Sequence, residues 1–468
     1  MRSSLLLASS LVAFLALPTA TASAQSLTDA LALAYSNSPD LNAARATGRA
    51  TDENVGIAKG LLRPKVSGVG TYAIQNQSAT LGVDANGTNN ARPSALVTRN
   101  DITHPATVGI QLTQPLFTGF QATAKLKAAE SGVLAQQELI RDTEQTVLVE
   151  AATAYMDVVM NTAIVALDNE NLQFLNEQVR AATDRLQVGE GTKTDLSQAQ
   201  ASYQAAVATL TQARATLAAA KATFVQFVGV EPKKLSSALP FERLVPPAIT
   251  AAVDISQREH PALRAAIYNI DVAQANVTYA EGALLPQVNL QGSVTHAWEP
   301  SGYLRSDQAQ IGINVSVPLY QGGGEYAAVR QAKEQLGTAR IQVDIARERM
   351  RQIVAAEWAF YVSSSTTIAA AQAQIAADQL ALQGTIEQRN VGERTTLDVL
   401  NAQSVLFQAR ISLAQAERQK AVALFTLLQA IGRFDVDHLR LAATRYDPKQ
   451  HYQAVKDQWF GLRTPDGR

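Results

Sequence analysis

The chain has 468 residues, 40 Lys and Arg against 41 Asp and Glu, and no cysteine. Balanced charge offers nothing to draw it to nucleic acid, and the missing cysteine excludes disulfides, thiolate metal sites, cysteine nucleophiles and a lipid-modified N-terminal cysteine. His104, His260, His296, His438 and His451 are the only histidines and show no helical pairing, so neither a metal nor a cofactor is expected.

Arg2, an apolar stretch over 5–17 and the small residues Ala22-Ser23-Ala24 read as a signal peptide over 1–24, with the mature chain beginning at Gln25. No later run of about 18 apolar residues stands out, so no transmembrane helix is expected. From there the chain is written twice. Pro39, Val55, Gly60, Pro64 and Gly70 return as Pro261, Val277, Gly282, Pro286 and Gly292, an offset of 222. Gly109, Pro115, Gly119, Gly189, Thr192, Asp195 and Gly229 return as Gly312, Pro318, Gly322, Gly392, Thr395, Asp398 and Gly432, an offset of 203. The difference of 19 lies between Pro64 and Pro115, where the first copy carries a longer loop. A long unit present only twice is a duplicated half of one architecture.

Each copy predicts the same elements in order. Residues 27–62 read as helix. Val66, Tyr72 and Ile74 then alternate with Lys65, Ser67 and Thr71, and Val108, Ile110 and Leu112 alternate with Thr107, Gly109, Gln111 and Thr113. That period of two marks strands with one wet and one apolar face, each long enough to cross a bilayer at a tilt. Residues 75–104, rich in Asn, Ser, Thr and Gly, read as a mobile extracellular loop. A proline-free stretch follows from Pro115 to Pro232, broken only at Val188-Gly189-Glu190-Gly191-Thr192. It reads as a helical hairpin with unequal arms, about 100 Å over 120–188 and half that over 195–228. In the shorter arm Leu196, Ala199, Tyr203, Ala206, Leu210, Ala213, Leu217, Ala220 and Phe224 follow a seven-residue apolar repeat.

The second copy predicts helix over 254–285 and strands around Val288, Leu290 and Val294 and around Ile311, Ile313 and Val315. A second hairpin follows, turning at Val391-Gly392-Glu393-Arg394-Thr395. Trp298 and Tyr303 near the strand tip read either as an aromatic belt or as plain loop. The expected organisation is a signal peptide over 1–24 and a first repeat over 25–230 with its β-hairpin at about 64–116. A linker over 231–250 joins it to a second repeat over 251–433, with its β-hairpin at about 286–319, and 434–468 form a C-terminal segment and tail. Linker and tail form an irregular belt around the helices, with 457–468 disordered. Four strands cannot close a membrane barrel, so more than one chain is required.

The strand-flanking prolines Pro64, Pro115, Pro286 and Pro318, the strand exits QPLFTGF and VPLYQGG, and the turn VGERTTLDVL over 391–400 resemble the TolC family of outer-membrane exit ducts. The match covers nearly the whole mature chain. The resemblance implies a homotrimer in outer-membrane lipid, with a shared twelve-stranded β-barrel continuing into a periplasmic tunnel of twelve helices. The duct is passive and not an enzyme, and a periplasmic adaptor and an inner-membrane transporter open it at the tip.

By the same resemblance Gly189 and Gly392 make the hairpin turns, Asp398 belongs to an acidic ring at the constriction, and Arg394, Asp195 and Thr194 belong to the links that hold it shut. Two positions depart from the family pattern. Asn401 stands where a second ring aspartate is usual, which weakens cation selectivity. Arg389 stands where a tyrosine is usual and has two readings, an ionic latch to Asp195 or a solvated helix charge. Two alternatives to a duct are a soluble periplasmic coiled-coil adaptor, which would not need strands with lipid-length apolar faces, and an exported helical enzyme, for which no carboxylate cluster or His/Ser pair speaks.

Overall fold

The computed structural model describes residues 25–83, 95–298, 304–465 and 467. The expected signal peptide and Tyr303 lie outside the described residues. In the first repeat, α1 (Leu27–Asn37) and α2 (Pro39–Gly60) lead into β1 (Lys65–Tyr72) and β2 (Gln75–Val83). The chain returns through β3 (Ala95–Thr103) and β4 (Ala106–Phe117), then enters the hairpin α3 (Gln121–Gln187) and α4 (Lys193–Val228). The second repeat runs α5 (Ile249–Glu259), α6 (Pro261–Gly282), β5 (Gln287–Trp298), β6 (Arg305–Ser316), α7 (Gly324–Asn390) and α8 (Thr396–Ala430). Two short helices, α9 (Val436–Leu439) and α10 (Pro448–Val455), lie near its end.

Corresponding helices agree in length: 11 and 11, 22 and 22, 67 and 67, 36 and 35 residues. Proline explains the break in each leading pair. At the first position of α2 and α6 it lacks the N–H that the preceding helix would need, yet it suits a helix start. The residue before it caps the new helix: Ser38 Oγ accepts from the Leu41 N–H at 3.3 Å, and His260 Nδ1 accepts from the Ala262 N–H at 3.2 Å.

The four main strands form one antiparallel sheet in the order β1-β4-β5-β6, with β1 and β6 as its outer strands. The register sorts the side chains. Val66 faces Leu112, Ile110 faces Val294, Leu290 faces Ile313, and Val288 faces Val315. Those pairs share one face. Gln111 with Ser293, Asn289 with Asn314, and Gln291 with Gly312 share the other. One surface of the sheet is therefore apolar and the opposite one polar across all four strands.

The reading of 75–104 as a loop is corrected. β2 and β3 pair antiparallel as a separate two-stranded sheet that prolongs the first hairpin, with Thr80 and Thr98 hydroxyls 3.0 Å apart across it. Among the described residues one backbone bond, Ala73 N–H to the Pro105 carbonyl at 2.9 Å, spans the junction, beside a Tyr72–His104 side-chain contact at 3.3 Å. Pro105 has no N–H to continue the ladder, so the sheet breaks there.

Helix packing centres on α3, which touches α1, α2, α4, α6 and α8. The heptad positions of α4 form its inward side: Ala199, Ala206, Leu210 and Phe224 are buried, and Tyr203 and Leu217 half-buried. A window of α3 is apolar enough to cross a membrane, contrary to expectation, but 56% of it is buried against the rest of the chain. It belongs to the main core, where Leu148 and Tyr155 meet Leu31, Phe224, Phe425, Leu428 and Phe434. Linker and tail complete this belt. Tyr155 Oη accepts from the Ser236 N–H and donates to the Gln25 carbonyl, each at 2.8 Å, and Phe241 meets the Phe434 ring edge-on.

Over the described residues 457–465 the expectation of disorder is also corrected; 466 and 468 lie outside the described residues. Lys59 pairs with Asp457, and Arg63 donates to the Gln458 carbonyl at 2.8 Å, holding the tail against the end of α2.

Candidate functional site

The ends of the two long hairpins lie together, and each is built in the same way. Gly189 has φ 79° and Gly392 φ 83°, left-handed values that let the chain reverse after a long helix. Thr192 and Thr395 then cap the returning helices. The Thr395 hydroxyl and N–H both donate to Asp398 Oδ2 at 2.8 Å, and Thr395 Oγ1 accepts from the Asp398 N–H at 3.2 Å. Thr192 and Asp195 repeat this box with distances of 2.6, 3.2 and 3.1 Å. A carboxylate three residues into a helix thus satisfies the N–H of the cap and sits favourably at the positive end of the helix dipole. Hydrogen bonds from the Thr395 backbone and hydroxyl, with Arg394 nearby, hold the Asp398 carboxyl below the usual carboxylate range.

Between the two turns lies a cleft of about 540 Å³ lined by Arg185, Glu190, Asp195, Arg389, Arg394 and Thr395 among others. It brings Asp195, Arg389, Arg394 and Gly392 together, while Asp398, Asn401, Thr194 and Gly189 are not among its walls. Thr194 is exposed on the first turn of α4, and Asn401 on the second turn of α8. Within the chain the contact of Arg389 is to a neutral amide rather than to Asp195. Arg389 Nη1 donates to Gln178 Oε1 of α3 at 2.7 Å, while Asp195 is engaged in its own cap. Partial burial, and then repulsion from Arg185, make protonation of Arg389 less favourable than for a free guanidinium. Arg394 donates from Nε to Gln388 Oε1 at 3.3 Å and stands 3.9 Å from Asp398 Oδ1 in its own turn.

Gln178, Arg185 and Gln388 were not singled out from sequence. A neutral amide 211 positions away leaves no pattern that would pair it with an arginine.

Further from the tip, α8 is tied to α3 by a series of polar rungs. Gln403 donates to Asn171 at 3.0 Å, Arg410 to Glu170 at 3.2 Å, and Arg418 to Asp157 at 2.7 Å. Apolar contacts run beside them: Leu400 packs with Leu175 and Ala206, and Val399 and Leu406 pack with Leu382 and Phe174. The rungs become ionic toward the main core.

The family model described as "Outer membrane efflux protein" matches residues 30–230 and 252–433. The chain is 44% identical over 446 residues to the outer membrane efflux protein BepC of Brucella suis, covering 95% of this chain and 93% of that one. To the outer membrane protein TolC of Escherichia coli it is 25% identical over 418 residues, covering 86% and 81%. Its fold superposes on the crystal structure of the Campylobacter jejuni CmeC outer membrane channel with a TM-score of 0.74 at 17% identity, over 92% of this chain and 89% of that one.

Proposed function

The chain belongs to the outer membrane efflux protein family, and from that premise we propose that it is a passive, gated exit duct opened at its helical tip. It is an outer-membrane protein of a channel family, and the reading as a soluble adaptor is not favoured. The observation that carries the duct reading is the strand register. It builds a sheet with one apolar and one polar face and leaves its outer strands, β1 and β6, to pair with other copies. Three copies would close a twelve-stranded barrel over a tunnel of twelve helices, as the family resemblance implies. Relatedness to BepC favours efflux as the task, with an inner-membrane transporter and a periplasmic adaptor supplying the energy.

The gate is the tip. Asp398 from each copy would face its two mates, and repulsion among them opposes the lowering of its pKa by Thr395. The capping bonds keep the ring ionised and attractive to cations, and Asn401 leaves it single. Opening moves the α7–α8 hairpin relative to α3. The Arg389–Gln178 bond near the tip is the first rung to break, while the ionic pair Arg418–Asp157 stays closed as the fulcrum. Adaptor hairpins docking at the tip would bias that equilibrium.

Single-channel conductance in planar bilayers tests the reading. Wild type should conduct weakly, Arg389→Ala should conduct more, Asp398→Ala should lose cation preference, and Asn401→Asp should gain it. Protein that stays water-soluble without detergent and forms no channel would end the duct reading.

A further inference from the structure

We infer that residues 458–463 form a second membrane contact, an interfacial anchor that seats Trp459, Phe460 and Leu462 in the headgroup region of the outer membrane's periplasmic leaflet. This rests on the duct reading, because it takes the apolar sheet face to meet lipid. Position is the first observation. α2 ends at Gly60 and β1 begins at Lys65, so the Lys59–Asp457 pair and the Arg63–Gln458 bond fix the tail at the level where helix gives way to barrel. Arg63 also stacks over the Trp459 ring at 4.5 Å.

Continuity is the second. Trp459, Phe460 and Leu462 share a groove with Pro64 and Val66, and Val66 is the first apolar-face residue of β1. The tail thus extends the lipid-facing surface at its rim. The side chains point outward: Trp459 is 58% and Phe460 87% exposed, and Leu462 is fully so. Three large apolar groups in six residues, open to solvent beside a membrane surface, are costly in water and favourable at an interface.

Composition is the third. Asp457 is neutralised by Lys59, which leaves Arg63 and Arg463 to meet phosphate headgroups, and tryptophan beside arginine is the chemistry of the interfacial belt. The segment is also shaped. Gln458 Nε2 donates to the Phe460 carbonyl at 3.0 Å, and Gly461 at φ 129° turns the chain so that Leu462 follows the two aromatic rings.

The three tryptophans of the chain supply the test and its controls. Trp298 lies at the far end of β5 on the apolar face, Trp358 packs against the main core, and Trp459 is in the tail. The full-length protein is reconstituted in phosphatidylethanolamine–phosphatidylglycerol vesicles whose acyl chains are brominated either near the headgroup or near the terminal methyl. Emission lost in Trp459→Phe is the tail's share, and headgroup-proximal bromines should quench most of it while deep bromines leave it intact. Leu462→Trp in the Trp459→Phe background should recover the quenchable signal at a fully exposed position.

Emission from Trp459 that no bromine quenches, while the Trp298 share is quenched, would overturn the anchor and leave the duct standing; blue-shifted but unquenched emission would place the tail in a seam between copies. Loss of quenching at Trp298 as well would overturn the membrane reading itself.

Discussion

α3 and α7 have the same length, the same place in their repeats and nearly the same ends, yet they are buried very differently. Twenty-three residues of α3 are buried and only six of α7. α3 is surrounded by its own chain, whereas α7 leaves Ile341, Ile345, Phe360 and Val362 exposed along its length. A soluble helix of this composition would not keep such groups in water, so the free side of α7 is built for another copy. One long helix serves as the core of the subunit and the other as its seam. Duplication supplied the shape, and the side chains then divided the work.

Substitutions on the two sides should therefore fail in different ways. The largest effect is expected from Phe425→Ala, which empties a wholly buried ring beside α3 and should cost about 3–5 kcal/mol in a urea melt of the detergent-solubilised protein. Phe360→Ala, at a ring 56% exposed in the single chain, should leave that subunit melt nearly unchanged and lower the temperature at which the trimer dissociates on a native gel. Equal losses in both assays for both variants would remove the distinction between core and seam.

A smaller effect separates the two repeats at their leading helices. Burial, and then Arg141, hold His260 at a pKa of about 4, and its neutral Nδ1 is the cap that Ser38 provides in the first repeat. Unfolded, it titrates near 6.5, so its contribution is intact above that pH and lost as pH falls toward 4. Glu144 works the other way. Burial raises it to about 7 from 4.5, so its neutral form favours the fold at low pH and that advantage is lost as pH rises through 7. The two slopes oppose each other between 4.5 and 6.5. His260→Ser should leave stability falling with rising pH across that window, and Glu144→Gln should leave it rising, both readable as urea midpoints at stepped pH.

The smallest difference lies between two left-handed glycines of the second repeat. Gly392→Ala strains a left-handed turn whose surroundings are open, at a cost of about 1 kcal/mol. Gly432→Ala should cost more in the same melt, since its Cβ would also lie 2.9 Å from His260 Cα.

Much of this was legible in the sequence because it repeats with a period. Alternation at Val288, Leu290 and Ile311, Ile313 placed the strands, the seven-residue spacing in α4 named its buried side, and Gly189 and Gly392 marked the turns. The β2–β3 arm escaped because its Gln, Asn, Ser and Thr residues have the composition of a loop, which gives no sign of a ladder held by backbone bonds and the Thr80–Thr98 contact. The tail escaped because its order depends on Lys59 and Arg63, nearly four hundred positions earlier. At the tip the turn residues were readable from local chemistry. The partner of Arg389 was not, since Gln178 becomes a neighbour only once the end of α7 meets that of α3 at the tip.

Matched helix lengths impose a rule on how such a chain can change. Removing one residue from α3 alone would shorten it by about 1.5 Å and rotate everything beyond by about 100°, throwing its turn out of step with that of α7. Insertions and deletions in the helices are tolerable only in pairs, one in each repeat, as if two rulers had to be recut together. Among the described residues, β2 and β3 pair only with each other. That is where the 19-residue difference between the repeats has gathered, into an arm that could grow without disturbing the register of anything below it.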